Sequence, residues 1–225
     1  MRVTAVLLAA GRGRRMGRGE NKAFAIVSGT PLLGLTIRAF ARCASIDEIV
    51  IVAAAGERER VSALLPAVSQ PIRIVDGGAE RRDSSRAGVE TASGDIVLLH
   101  DGARPFASAQ LIDRVIAGAI EHGACVPVLP VVDTLRHVEV NGALACETLD
   151  RSAVARIQTP QAFRSELIRR ALETCPPDAP DDAAAVLALG ERVVAVAGEP
   201  TNLKVTTPED LALAEAIVVK LSFES

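Results

Sequence analysis

Short unbroken apolar runs recur along the chain, and the segments between them carry apolar residues at helical spacing. The runs Val3–Leu8, Glu48–Ala54, Ile72–Val75, Ile96–His100, Ala124–Leu129 and Val193–Val196 read as strands. Val, Ile and Leu fill consecutive positions in them without alternating with polar residues, as in strands covered on both faces. Helical patterns span Pro31–Ala41, Glu57–Leu65, Glu80–Ala92, Ala109–His122, Ser165–Glu173, Ala183–Ala188 and Pro208–Val219. This repeated alternation predicts an α/β fold around a mainly parallel sheet with right-handed crossovers.

Local signals sharpen several boundaries. Thr30 before Pro31 predicts an N-cap with proline in the first helical turn. Gly94 and Gly123 stand where helices should stop. Thr207-Pro208-Glu209-Asp210 is a strong helix start, with acids near the positive end of the dipole. One segment breaks the alternation: Val131 to Thr148 reads as two strands joined by an Asn141-Gly142 turn, a strong hairpin signal. Arg136, His137, Glu139 and Glu147 make this hairpin too polar for a core, so it is expected to project. An isolated hairpin is marginal in water, and a second copy of the chain covering it would stabilise it.

In open α/β sheets, ligands bind beyond the carboxyl ends of the strands. That rule gathers the loops after Leu8, Val75, His100 and Val196 on one edge. The first of these loops is the most informative. Leu8-Ala9-Ala10-Gly11-Arg12-Gly13-Arg14-Arg15-Met16-Gly17, with Lys22 close behind, joins a buried strand to a glycine- and arginine-rich turn. Glycines let backbone N–H groups close on phosphate oxygens, and the cations supply the charge a triphosphate needs. A dinucleotide-binding loop is a poorer match. The glycines at 11, 13 and 17 are spaced one residue too far, and the first acid after the next apolar run is Glu57, far beyond the roughly 20-residue distance of a ribose-binding acid. The second loop, Asp76-Gly77-Gly78-Ala79-Glu80-Arg81-Arg82-Asp83-Ser84, permits close backbone approach to a ligand and offers the Ser84 hydroxyl. The third places Asp101 at a strand's carboxyl end, where a carboxylate suits Mg²⁺ held between protein and phosphates. Near the end of the chain, Lys204 precedes a capped helix and is expected at a fixed place on the same edge.

Composition narrows the options. The chain has 225 residues, enough for one α/β domain, and a net charge of −3, so bulk electrostatics does not favour nucleic acid. Trp and Tyr are absent and there are five Phe, which further disfavours a base-stacking surface. No stretch approaches the roughly 20 apolar residues of a membrane span. Val3–Ala10 is too short for a signal peptide and its positive charges mostly follow it, so the protein is expected in the cytoplasm. Cys43, Cys125, Cys146 and Cys175 form no C-x-x-C pair and the three histidines are scattered, which argues against zinc or a disulfide frame.

The ordered set of motifs resembles the 2-C-methyl-D-erythritol 4-phosphate cytidylyltransferase family. The match is carried by Leu8-Ala-Ala-Gly-x-Gly-x-Arg-Met16 with Lys22-x-Phe24, Gly77-Gly-x-Glu-Arg-x-Asp-Ser84 and His100-Asp-x-Ala-Arg-Pro105. It continues through Val132-Asp-Thr134, Asp150-Arg151, Thr159-Pro-Gln-x-Phe163 and Asn202-x-Lys-Val-Thr-x-Pro-Glu-Asp-Leu211, spanning nearly the whole chain. The resemblance implies a single Rossmann-like nucleotidyltransferase domain over residues 1–225, with an arm at about 131–156. It implies transfer of a cytidylyl group from CTP to methylerythritol phosphate with Mg²⁺, in a homodimer.

By the same resemblance, Arg15 and Lys22 stabilise the transition state, and Arg151 and Lys204 position the acceptor phosphate. Thr134 and Thr159 are further acceptor contacts. Ala10, Gly11, Gly78, Ser84 and Ala103 hold CTP, and Asp101 faces the acceptor and the metal. The family's arm reaches the neighbouring subunit, which would put Thr134 and Arg151 in the partner's site. Departures from the family pattern are Asn21 where proline is usual, Ala79 for Asp, Gly102 for Ala, and Asp181-Asp182 for Asp-Glu; with Asn21, the loop entering Lys22 is expected to be less rigid. Two other readings remain open on sequence alone: a ribitol 5-phosphate cytidylyltransferase, and a nucleotide-binding regulatory domain without turnover.

Overall fold

The computed structural model describes residues 1–11, 21–139, 142–175 and 179–223. In chain order it forms β1 (Val3–Leu8), β2 (Ile26–Val27), β3 (Thr30–Pro31), α1 (Leu32–Ala41), β4 (Glu48–Ala53), α2 (Arg58–Ser62) and β5 (Ile72–Asp76). These are followed by α3 (Arg81–Thr91), β6 (Ile96–Asp101), α4 (Ala109–His122), β7 (Ala124–Pro130), β8 (Leu135–Val138) and β9 (Leu144–Leu149). The remainder is β10 (Ala155–Ile157), β11 (Gln161–Arg164), α5 (Ser165–Glu173), α6 (Asp182–Ala188), β12 (Val194–Ala197) and α7 (Pro208–Phe223).

The six apolar runs all form strands of one eight-stranded sheet. β5, β4, β1 and β6 lie side by side and parallel, and β12 runs parallel to β7. Each strand divides its side chains between two helical layers, which is why the runs do not alternate with polar residues. Ala5, Leu7, Ile49, Ile51 and Leu98 face α1 and α4, meeting Leu33, Ile37, Phe40, Leu111 and Val115. Val6, Val50, Val52, Val97 and Leu99 face the other way, onto Val89 of α3, Ile168 of α5 and Val186 of α6. Each fully buried Leu, Ile or Phe contributes about 1.5–3 kcal/mol.

Between β6 and β7 the sheet holds a strand that the apolar pattern does not reveal. β11 pairs antiparallel with both neighbours, and β10 continues along the same edge of β7. Residues 125 and 128 of β7 use their opposite edge for β12. β11 is short, has two apolar residues, and follows Pro160, whose missing N–H normally demotes a strand. The arm is correspondingly shorter than expected. β8 and β9 pair as a hairpin, with Gly142 at φ 82 in its turn, but 155–157 belong to the main sheet. Asn141 lies outside the described residues.

The helix signals fare unevenly. Gly123 ends α4 at φ 91, as its position predicts, and the structure adds a cap at the start of that helix, where Ser108 accepts from the Leu111 N–H. Asp210 accepts from the N–H groups of Thr206 and Thr207, which fixes the start of α7. Thr30, by contrast, caps nothing: it pairs within the small β2–β3 ribbon, and α1 begins at Leu32 after Pro31 without a side-chain cap. Gly94 lies past the end of α3, pressed on Arg2 and Thr4. α7 is held by a third cluster, in which Ala214 packs with Val27, Leu32, Phe106 and Val205. Val205 adjoins Lys204, so this packing anchors a loop of the ligand edge.

Candidate active site

The carboxyl ends of β1, β5 and β6 open into a cavity of about 440 Å³. Ala10 and Gly11 line it from the first loop, Gly78, Ser84 and Arg81 from the second, and Asp101 and Ala103 from the third. Lys22 and Lys204 close it from two further loops. The loops are fixed by extensions of the sheet ladder: the N–H groups of Ala9, Gly77 and Gly102 donate to the carbonyls of Val52, Ala53 and Leu8 at 2.8–2.9 Å. Gly77 and Gly78 are required for close packing. A Cβ on Gly77 would lie 2.5 Å from Ala10 Cβ, and one on Gly78 2.2 Å from Asp83 Cβ.

Asp101 is the electrostatic hub. Its Oδ2 lies 2.8 Å from Lys204 Nζ and 3.6 Å from Arg104 Nε, and its Oδ1 lies 3.8 Å from Arg81 Nη2. Burial alone would raise its pKa, but Lys204 and Arg81 prevail and hold the carboxyl well below the usual carboxylate range. Arg81 also reaches Oδ2 of the buried Asp182 at 2.7 Å. Two carboxylates therefore aim one guanidinium at the cavity wall.

A buried network holds this hub. The N–H of Asp101 donates to Thr159 Oγ1 at 3.1 Å, and that hydroxyl donates to Nδ1 of His100 at 3.1 Å. Nε2 of His100 donates to the Arg104 carbonyl at 2.9 Å. This tautomer is assigned from the hydrogen bonds. Burial pushes the His100 pKa down to about 4, so the ring is neutral. On the other side, Asn202 Nδ2 donates to the Thr159 carbonyl at 2.8 Å, while its own carbonyl accepts from Arg104 and Gln158. The Val205 N–H donates to Ala103. The loop bearing Lys204 is thus fastened on both sides of the lysine.

The family model for 2-C-methyl-D-erythritol 4-phosphate cytidylyltransferase (IspD) matches residues 3–220. The chain belongs to this family. A cytidylyltransferase of that name from Geobacillus kaustophilus is 40% identical over 224 residues, covering 97% of this chain and 97% of that protein. The crystal structure of the enzyme of that name from Thermus thermophilus superposes with a TM-score of 0.80 at 38% identity, covering 97% of this chain and 100% of the other. A 4-diphosphocytidyl-2C-methyl-D-erythritol synthase from Anaerococcus prevotii gives a TM-score of 0.84 at 30% identity, covering 97% and 98%.

Within this cytidylyltransferase fold, Ala10, Gly11, Lys22, Gly78, Ser84, Asp101, Ala103 and Lys204 all line this same cavity. Arg15 lies outside the described residues. Thr134 and Arg151 are exposed at the arm, and Arg151 Nη1 donates to the Val132 carbonyl at 2.6 Å. Neither lines the cavity of its own chain. Thr159 is buried behind the wall, with its hydroxyl engaged by Asp101 and His100. Sequence reasoning assigned no role to Arg81, although its position at the first turn of a helix on the ligand edge was a usable signal. Asp182 stands out in the sequence only as part of a departure from the family pattern, and its pairing with Arg81 joins residues about a hundred positions apart and leaves no local trace.

For a divalent cation the donor set is sparse. Among the described residues no group of three or more His, Cys, Asp and Glu side chains converges. Asp101 and Glu80 are the acidic residues of the cavity lining, and Asp101 is the one at a strand's carboxyl end. A single carboxylate fits Mg²⁺, which commonly takes one or two and completes its shell with water and phosphate oxygens.

Proposed function

We propose that the protein transfers the cytidylyl group of CTP to 2-C-methyl-D-erythritol 4-phosphate. The observation that carries this reading is the convergence of Lys22, Lys204 and Arg81 on one glycine-walled cavity, in a chain that belongs to the cytidylyltransferase family. A phosphate oxygen of the acceptor attacks the α-phosphorus of CTP. The bond from that phosphorus to the oxygen bridging it to the β-phosphate breaks, and pyrophosphate leaves with the electron pair. The nucleophile needs no general base, because a phosphate monoester is largely dianionic at neutral pH (second pKa about 6). Positioning and charge stabilisation then suffice.

Lys22 and Arg15 oppose the charge that grows at the α-phosphate. Lys204, oriented by Asp101, holds the acceptor phosphate together with Arg151, and Thr134 contacts the same substrate. Ala10, Gly11, Gly78, Ser84 and Ala103 receive CTP, with backbone N–H groups facing phosphate oxygens. Thr159 acts through Asp101 as a positioning residue. Asp101 would be the protein ligand of Mg²⁺, which when bound neutralises part of the triphosphate charge.

Arg151 and Thr134 serve in this reading from a second copy of the chain, whose arm crosses to the neighbouring cavity. Their exposure at the base of the β8–β9 hairpin supports this, as do the exposed Val132 beside Arg151 and the exposed Val138 and Leu144 near the hairpin turn. The deciding assay is pyrophosphate release with Mg²⁺ and CTP, comparing methylerythritol phosphate with ribitol 5-phosphate. Turnover with the first acceptor alone is expected. Turnover with ribitol 5-phosphate alone overturns the acceptor, and silence with both overturns catalysis.

A further inference from the structure

We infer that Asn21 is a positioning residue for Lys22, and that Glu57 and Arg60 complete the brace through which it works. The inference rests on the reading of Lys22 as the cation at the α-phosphate. Asn21 is 8% exposed and immediately precedes Lys22, which begins a single 3₁₀ turn ending at Phe24. Its amide nitrogen donates to the carbonyl of Ala9 at 2.7 Å and to Oε2 of Glu57 at 2.6 Å. Its Oδ1 accepts from the Ala23 N–H at 3.0 Å. One side chain thus ties the start of the lysine turn to the end of β1 and to the loop after β4.

The far end of the turn is held by the same group of residues. Nη1 of Arg60 lies 3.8 Å from Oε1 of Glu57, and its guanidinium stands 3.9 Å over the centre of the Phe24 ring. The path Asn21–Glu57–Arg60–Phe24 therefore closes on both sides of Lys22. Lysine has a flexible four-carbon stem, so where its charge falls depends on how firmly its backbone is set.

The backbone of Asn21 explains why this residue can stand where the family usually has proline. Its φ is −66° and its ψ 118°, the φ that a pyrrolidine ring imposes. Hydrogen bonds here hold the conformation that proline would fix covalently, and the loop entering Lys22 is braced. The chain then depends on Glu57 in a way that a chain with proline at position 21 would not.

The test measures kcat and KM by pyrophosphate release for the full chain and its variants, with melting temperatures alongside. Asn21→Ala and Glu57→Ala are each expected to lower kcat about 10- to 100-fold, the cost of misplacing a catalytic group by around an ångström, with little change in the KM for CTP. Asn21→Pro is expected to recover most of that loss. On a Lys22→Ala background, Asn21→Ala is expected to add no further loss. Arg60→Ala, whose side chain is half exposed and whose loss spares the fold, is expected to slow turnover about two- to fivefold, the worth of an exposed cation–π contact. Wild-type turnover in Asn21→Ala, a full additional loss on Lys22→Ala, or an Asn21→Pro as slow as Asn21→Ala would overturn the inference. If Asn21→Ala fails to fold, unchanged turnover in both Glu57→Ala and Arg60→Ala overturns it equally. A wild-type chain silent toward CTP fails the parent reading and this inference together, whereas an active wild type with an indifferent Asn21→Ala fails the inference alone.

Discussion

The ammonium of Lys204 sits 2.8 Å from Oδ2 of Asp101, and this contact sets both the charge and the direction of the cavity's third loop. Asp101 is also approached by Arg81 and Arg104, so deleting the lysine leaves the carboxylate compensated. Lys204→Ala should therefore retain a folded protein with a melting temperature near that of wild type. Its kcat/KM for the acceptor should fall about 10²- to 10³-fold, the range for removing a preorganised charge donor. Lys204→Arg should not restore it, because a planar guanidinium does not reproduce a point charge. Pyrophosphate release at varied acceptor concentration reads both, and an active Lys204→Ala would remove this residue from the mechanism.

A site shared between two chains has a distinctive genetic signature. Lys22→Ala and Arg151→Ala chains, each nearly inactive alone, should regain activity when mixed and refolded together. If the arm crosses between two copies as proposed, one cavity of a mixed pair carries both lesions and the other none, so activity should approach about a quarter of wild type when chains pair at random, as an isologous interface allows. If mixing restores nothing, Arg151 serves its own chain or no site at all.

His100 gives the fold a defined acid limit. Its pKa is near 4 in the native protein against 6.5 for the free side chain, with burial as the main cause. Between these values the unfolded chain binds a proton that the native chain excludes, so stability falls as pH drops from about 6.5 to 4. The full shift is worth about 3 kcal/mol at 1.36 kcal/mol per pKa unit. Asp101, held low by Lys204 and Arg81, titrates below this window. Denaturant unfolding at several pH values should show the slope, and His100→Gln should flatten it.

At the opposite edge of the sheet, the fully buried Glu48 accepts from the Thr4 hydroxyl and from the N–H and hydroxyl of Ser93, and pairs with Arg73 at 2.6 Å. Burial works against its charge, yet the hydrogen bonds prevail and hold its pKa low. Glu48→Ala should cost about 2–4 kcal/mol, because the donors on Thr4 and Ser93 lose a charged acceptor. The urea midpoint should fall while turnover at low temperature stays at the wild-type level. A lowered kcat in the folded variant would contradict the separation of the two edges.

Much of this was legible from local pattern. β1, β4, β5, β6, β7 and β12 each announce themselves by β-prone apolar residues, and the rule for carboxyl ends of parallel strands brings Gly11, Gly78, Asp101 and Lys204 together without further information. β11 stayed hidden because Gln161-Ala162-Phe163-Arg164 borrows its stability from β6 and β7 on either side. The partnership of Arg81 with Asp182 was hidden for a related reason: the pair joins two helix starts across the sheet edge, and no spacing in the sequence encodes it. Asn21 reads in the sequence as a departure from a pattern. The hydrogen bonds that compensate for it appear in three dimensions, where Ala9 and Glu57 come within reach.

The main-chain wall at Gly77 and Gly78 bears on how an inhibitor of this enzyme would age in use. An added methyl at either position would collide with Cβ atoms of Ala10 or Asp83, which cannot swing aside as the tip of a long side chain can. A compound whose affinity comes from the Gly78 peptide unit, which lines the cavity, would rest on a surface that a single substitution there cannot reshape without disturbing the fold. Resistance would have to arise elsewhere on the lining, at Ala79 or in the brace around Asn21.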